Sequence, residues 1–169
     1  HLEQFRFSQA GEGLRDFTWS EFADWYLEIA KVQMKTGDAK ATLSILRHVL
    51  RTLLKLWHPF MPFVTEAISQ HAGFGLLMVE AWPTVPEQSF LKKLVNLVHS
   101  DAAAIEDFAK LRDVIVRIRN LRAEAKVPAA QKIGVLVGAT ELNRVHEDVI
   151  RVLANLETVD YLEDPAAVE

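Results

Sequence analysis

Five large apolar residues, Leu43, Leu46, Leu50, Leu53 and Trp57, recur at steps of 3, 4, 3 and 4. A chain can bury such a row together only as an α-helix, because the spacing keeps them on one face at 3.6 residues per turn and on no face of a strand. Three other stretches keep the same beat. Phe22, Trp25, Ile29 and Val32 form one row, Leu111, Val114, Ile118, Leu121 and Ala125 another, and Leu142, Val145, Val149, Val152 and Leu156 a third. Helices with an apolar stripe need one another, so a helical bundle is expected.

Punctuation between the stripes sets the connections. The triplet "TGD" at 36–38 closes one helix and opens the next, with Gly37 expected in a left-handed cap and Asp38 expected to accept first-turn N–H groups. So short a link predicts antiparallel neighbours over about 16–34 and 39–57. In "LWHPFMPFVTEA", Pro59 breaks the helix and Pro62 suits the first position of a new one, which Gly73 and Gly75 end. Trp57, Pro59, Phe60, Pro62 and Phe63 are expected to form a rigid apolar elbow, with Trp82 of "EAWP" packed nearby. A third long helical region is expected from Ser89 to Lys126, with a new start near Ser100 and Asp101, ended by Val127 and Pro128. The pattern then changes. "KIGVLVG" and "TVDYLE" read as strands flanking a helix capped by Thr140, which predicts a crossover unit with parallel strands. Two strands alone are marginal, so the sheet is expected to draw on chain beyond Glu169. The fold expected is therefore mainly α, an antiparallel bundle over 1–128 followed by a small strand-helix-strand unit over 129–169.

Composition narrows the chemistry. At 169 residues, half of them hydrophobic, with 7 Gly and 6 Pro, the chain has the makings of a globular core. It contains no cysteine, so disulfides, thiolate zinc sites and cysteine nucleophiles are excluded. The longest run free of Asp, Glu, Lys and Arg is Ala67–Val79, 13 residues, well short of a membrane span. The pairs "GEG" at 11–13 and "GFG" at 73–75 lack the third glycine and preceding strand of a nucleotide loop, and no GxxxxGK[ST], HExxH or GxSxG occurs. Six histidines are scattered at 1, 48, 58, 71, 99 and 146, which predicts no metal site, and no catalytic residue is expected. A formal charge of −4 argues against a surface that binds nucleic acid everywhere, so an anionic partner must meet a local patch.

The order of four segments carries a resemblance. "FTWSEFADWYLEIAK" at 17–31, "LLKLWHPFMPFVTEAI" at 53–68, "LMVEAWP" at 77–83 and "IRNLRAEAKVPAAQKIGVLV" at 118–137 resemble, in order and approximate spacing, the helical anticodon-binding domain of class I aminoacyl-tRNA synthetases for branched aliphatic amino acids. Leucine and isoleucine enzymes share the proline corner in looser forms; "SEFADWYLE" and the run from "RNLRAEAKVP" into "QKIGVLV" are similar to the valyl-tRNA synthetases. Where that family carries a bulky aromatic, "TEAIS" places Ser69. The stretch "SFLKKLVNLVHSDAAAIEDF" is longer than usual in the family.

The resemblance implies a tRNA partner, the valine acceptor, and a catalytic domain elsewhere in the same chain that uses ATP. The His-Ile-Gly-His-like and Lys-Met-Ser-Lys-Ser-like motifs of that domain do not occur here, so this part is expected to be inactive alone, without a cofactor, monomeric, cytoplasmic and free of membrane contact. Anticodon loops are held through splayed bases and backbone phosphates. The expected contacts are Arg112, Arg119, Arg122 and Lys126 on the third long helix, with Lys31 and Lys35 ending the first; Lys40, Arg47, Arg51 and Lys55 form the alternative basic face. Singly, each is more often a solvated charge on an amphipathic helix. A stand-alone helical interaction module is the reading from a different class.

Overall fold

The computed structural model of the chain describes residues 4–84 and 101–163. Among these it is mainly helical: a helical bundle, then a small α/β unit with one two-stranded parallel sheet. Contacts divide the chain into compact units at His1–Pro86 and Glu87–Glu169. Patterning alone put the division at 128, because that is where the beat changes from helix to strand. In the contacts, the long helix goes with the strands.

In the first unit, helix α1 (Phe7–Asp16) runs into a π-helical segment (Phe17–Tyr26) and on into α2 (Leu27–Thr36). Trp25, Ile29 and Val32 of the expected stripe are buried. The stretch before residue 16 is helical despite Gly11 and Gly13, each of which weakens a helix interior. Gly11 lies against the Phe60 ring, which a side chain here would meet at 3.5 Å.

Gly37 is extended (φ −130°) rather than left-handed, so the expected glycine cap is not made. Asp38 does cap α3 (Ala39–Trp57), accepting from the N–H groups of Lys40 at 2.9 Å and Ala41 at 3.0 Å. The α3 stripe holds at its C-terminal half, where Leu53 is buried and Leu50 and Trp57 are half-buried, but Leu43 is 52% exposed. Thr42 and Leu54, off the expected row, are buried instead.

The proline corner forms as a tight turn. Phe60 and Met61 both donate to the Trp57 carbonyl at 3.0 Å, and Pro62 opens α4 (Pro62–His71). Trp57 Nε1 donates to Thr18 Oγ1 (3.0 Å), and its ring meets Phe60 edge-on at 5.9 Å. Thr65, buried beneath the turn, hydrogen-bonds the Met61 carbonyl through its hydroxyl at 2.9 Å. His58 Nδ1 hydrogen-bonds the same hydroxyl at 2.8 Å, tying the end of α3 to α4. Phe63 departs from the expected elbow: it is 89% exposed, and Trp82 also keeps much of its ring exposed. Ser69 is fully buried and donates to the Gly75 carbonyl at 2.7 Å, tying α4 to a glycine at φ +90°. A 3₁₀ turn follows at Leu77–Val79, with the Leu77 N–H on the Glu66 carboxylate at 3.1 Å.

In the second unit, α5 (Asp101–Glu124) ends where expected, and the part of that expected helix over 89–100 lies outside the described residues. Its buried face is Leu111, Ile115, Ile118 and Arg122, not the expected Leu111–Val114–Ile118–Leu121 row. Leu121 is 62% exposed. Lys126 takes φ +54°, and the bonds Lys126 N–H to Ala123 O and Val127 N–H to Arg122 O close a Schellman turn at 3.0 and 2.9 Å. Strand β1 (Ile133–Gly138) pairs in parallel with β2 (Leu156–Leu162), and Val135, Val137 and Gly138 lie opposite Val159, Tyr161 and Leu162. Between them the expected single helix is two, α6 (Glu141–Val145), capped by Thr140, and α7 (Glu147–Leu153). The break at His146 rotates the second piece. Val145 and Val152 are consequently exposed, and Asn143, Val149, Ile150 and Leu153 are buried.

Candidate nucleic-acid interface

The cations named from sequence separate into two groups once their neighbours are known. Arg119 donates through Nε and Nη2 to the Leu153 carbonyl at 3.0 and 2.8 Å, at the end of α7. Arg122 is only 8% exposed and donates to three carbonyls, Asn155 at 3.1 Å, Pro128 at 3.3 Å and Gln131 at 2.7 Å. Both guanidinium groups therefore sit at the carbonyl end of α7, where the helix dipole favours a cation. A planar fork suits this job better than an ammonium point charge. Arg112 is half-buried on α5 and is also engaged.

On the alternative face the arginines are similarly committed. Arg47 lies 4.9 Å over the Phe74 ring and donates to the Ala72 carbonyl at 3.4 Å; Arg51 lies 5.9 Å from the same ring. Glu80 is gripped by Arg51 and by Lys55, the latter at 2.6 Å. Hydrogen bonds from Arg51, then Lys55, hold the Glu80 carboxylate down at about 2. This face fastens the loop 72–82 to α3. Only Lys40 remains solvated without a carboxylate partner among the described residues.

Among the cations named from sequence, the lysines keep the most accessible charge, while Arg6 and Arg117, which were not named, are exposed as well. Lys31 pairs with Glu28 at 2.5 Å, with both side chains largely in water, a pairing worth little and readily exchanged. Lys35, in the last turn of α2, and Lys126, after α5, have no carboxylate partner among the described residues. Lys132, just before β1, is exposed and similarly unpaired; sequence reasoning passed over it because it lies on no helical stripe.

Between α1, the π-helical segment and α3 an open groove of about 830 Å³ is walled by Leu14, Phe17, Val49, Leu53, Phe60 and Trp82. No Lys or Arg lines it, and its polar side chains are Gln9, His48 and Thr52. Among the described residues no group of three or more His, Asp or Glu could hold a metal, and no helix is long and apolar enough to cross a membrane.

The described residues define a mainly helical domain, a bundle and a small parallel α/β unit, with no catalytic or metal cluster among them. A family model described as the anticodon-binding domain of tRNA ligase matches residues 1–137, ending inside β1, and the chain belongs to that family. Its similar proteins are more particular. It is 38% identical over 146 residues to a valine–tRNA ligase of Bacillus cereus, covering 83% of this chain and 15% of that protein. It is 30% identical to the valine–tRNA ligase of Thermotoga maritima (96% of this chain, 18% of that one) and 35% identical to that of Corynebacterium glutamicum (93% and 17%). The chain thus spans less than a fifth of the length of these curated relatives.

Proposed function

We propose that the chain is the anticodon-arm-holding part of a valine–tRNA ligase, binding the valine tRNA while ATP-dependent attachment of valine takes place in a catalytic part of the same polypeptide. The observation that carries this reading is the joint one of the anticodon-binding family over residues 1–137 and similarity to valine–tRNA ligases across 83–96% of the chain. The charge pattern supports it, since solvated lysines suit a phosphate backbone better than arginines already bonded to carbonyls. By itself the chain is a monomer of the cytoplasm without cofactor or amino-acid activation. Exposed Phe63, Met78 and Val79 supply apolar surface for the catalytic part to cover.

Fluorescence anisotropy with a valine tRNA at low salt tests the reading. Binding should appear and be competed by an isolated valine anticodon stem-loop, and valine-dependent pyrophosphate exchange should stay at the buffer level. Binding competed by an acceptor-stem duplex but not by the anticodon stem-loop overturns it, and exchange above buffer overturns the division of labour.

A further inference from the structure

We infer that the loop 126–132 is a preorganised phosphate-contact site for RNA, made by Lys126, Lys132 and the main-chain N–H groups of Ala129 and Ala130. The inference rests on the proposed RNA-binding role and adds Lys132 and two main-chain donors to the Lys126 that the sequence named.

Three side-chain hydrogen bonds fix the loop from its inner side. Arg122 Nη2 reaches the carbonyls of Pro128 (3.3 Å) and Gln131 (2.7 Å), and Asn155 Nδ2 donates to the Ala129 carbonyl at 2.7 Å. The Gln131 N–H closes the turn on the Pro128 carbonyl at 3.0 Å. With the carbonyls drawn inward, the Ala129 and Ala130 N–H groups are left without an acceptor among the described residues, in a segment that is exposed throughout 128–132. Adjacent main-chain donors in a turn make an anion-binding concavity. The two ends of this one carry solvated lysines.

Charge and rigidity agree with that use. Residues 119–132 hold Arg119, Arg122, Lys126 and Lys132 against a single carboxylate, Glu124, in a chain whose formal charge is −4. Because the loop is already fixed, binding costs little further ordering. Lys126 is held at φ +54°, where Gly or Asn is the ordinary occupant of a helix-ending turn. A lysine there is mildly strained as structure, and its side chain is exposed two residues before the turn.

The test compares the double variant Lys126→Asn, Lys132→Gln with Lys110→Gln, which removes a charge from the solvated Lys110–Glu106 pair (2.8 Å) on α5. Asn tolerates the left-handed conformation, so the double variant should melt like the unaltered chain. Its valine tRNA affinity should fall roughly 20-fold at about 0.1 M salt and its log-log salt slope flatten by about 1.4, since each phosphate contact to a single strand carries about 0.7. Lys110→Gln should change neither. In a ¹⁵N-labelled chain the Ala129 and Ala130 amide signals should move on adding tRNA at micromolar concentration and on adding inorganic phosphate only at millimolar concentration. An unchanged slope in a folded double variant overturns the loop while leaving the RNA-binding reading intact, as does equal weakening by Lys110→Gln. Saturation of both amides by micromolar phosphate makes this a small-anion site instead. Absence of any tRNA binding by the unaltered chain overturns the parent reading and the loop with it.

Discussion

Arg122 takes the last place on the buried face of α5, a position that the apolar rhythm assigns to Leu121. A buried cation is costly unless its donors are met, and here three carbonyls at the end of α7 and in the loop 128–131 meet them. Removing it takes the charged donor from the Gln131 and Asn155 carbonyls and leaves a gap on the buried face of α5, while the Pro128 carbonyl keeps the Gln131 N–H. Arg122→Ala should therefore destabilise the chain by about 3 kcal/mol, the upper end for hydrogen bonds to a charged group. Arg122→Lys should recover little, because one ammonium cannot serve acceptors spread over a planar fork. Urea unfolding followed by far-ultraviolet circular dichroism reads both, and a loss under about 1 kcal/mol would return Arg122 to the list of available RNA contacts. Nothing in the local sequence could have shown this. Leu111–Val114–Ile118–Leu121 and Leu111–Ile115–Ile118–Arg122 are equally good helical rows, and only the carbonyls of residues 128, 131 and 155 decide between them.

At the scale of elements, the parts legible in the sequence are those fixed by neighbours in the chain. The bounds of α3 follow from the Asp38 cap and Pro59, and α4 begins at Pro62, as their backbone chemistry requires. The π-helical segment and the break at His146 depend on packing across the unit, and no periodicity announces either. The elbow lies between these cases. Trp57 is half-buried rather than enclosed, with Phe60 on its ring and Thr18 on its indole nitrogen. Trp57→Ala should cost about 2 kcal/mol, below the 3 to 5 typical of a fully buried Trp, and Trp57→Phe about 1 for the lost hydrogen bond. Thermal melts distinguish them; equal losses would show that the ring carries nothing.

The clamp between α3 and the loop 72–82 has a pH signature. Glu80 titrates at about 2 in the folded chain against an ordinary 4.5, so the folded state holds fewer protons in that window. Its stabilisation is complete above about 4.5 and is lost as the pH falls towards 2. Glu80→Gln should remove this part of the acid sensitivity and leave stability at pH 2 nearly unchanged. Denaturant midpoints measured from pH 6 to pH 2 give the comparison, and parallel curves for variant and parent would exclude the clamp.

For the whole molecule the decisive quantity is how much charge remains after the fold has used its share. Of the ten cations that the sequence offered for RNA, Arg119 and Arg122 hold α7 and the loop 128–131, while Arg47, Arg51 and Lys55 hold the loop 72–82. The family and the fold could be read from motif order and stripes; which cations the fold engages could not, because an arginine bonded to a carbonyl and one left in solvent have the same spacing. If Lys31, Lys35, Lys126 and Lys132 are the phosphate contacts, the log-log salt slope of tRNA binding should be close to −3, from four contacts at about 0.7 each. Binding should be weak in a chain of formal charge −4 and should strengthen steeply as salt is lowered. Lys31→Gln with Lys35→Gln should flatten the slope by about 1.4 with no change in melting, as expected of solvated side chains. Arg119→Ala with Arg122→Ala should abolish binding only together with the melting transition, since those residues hold the unit that displays the loop. A folded Arg119, Arg122 double variant that has lost about 1.4 units of slope would instead make the arginines the RNA contacts, and the lysines their solvated surroundings.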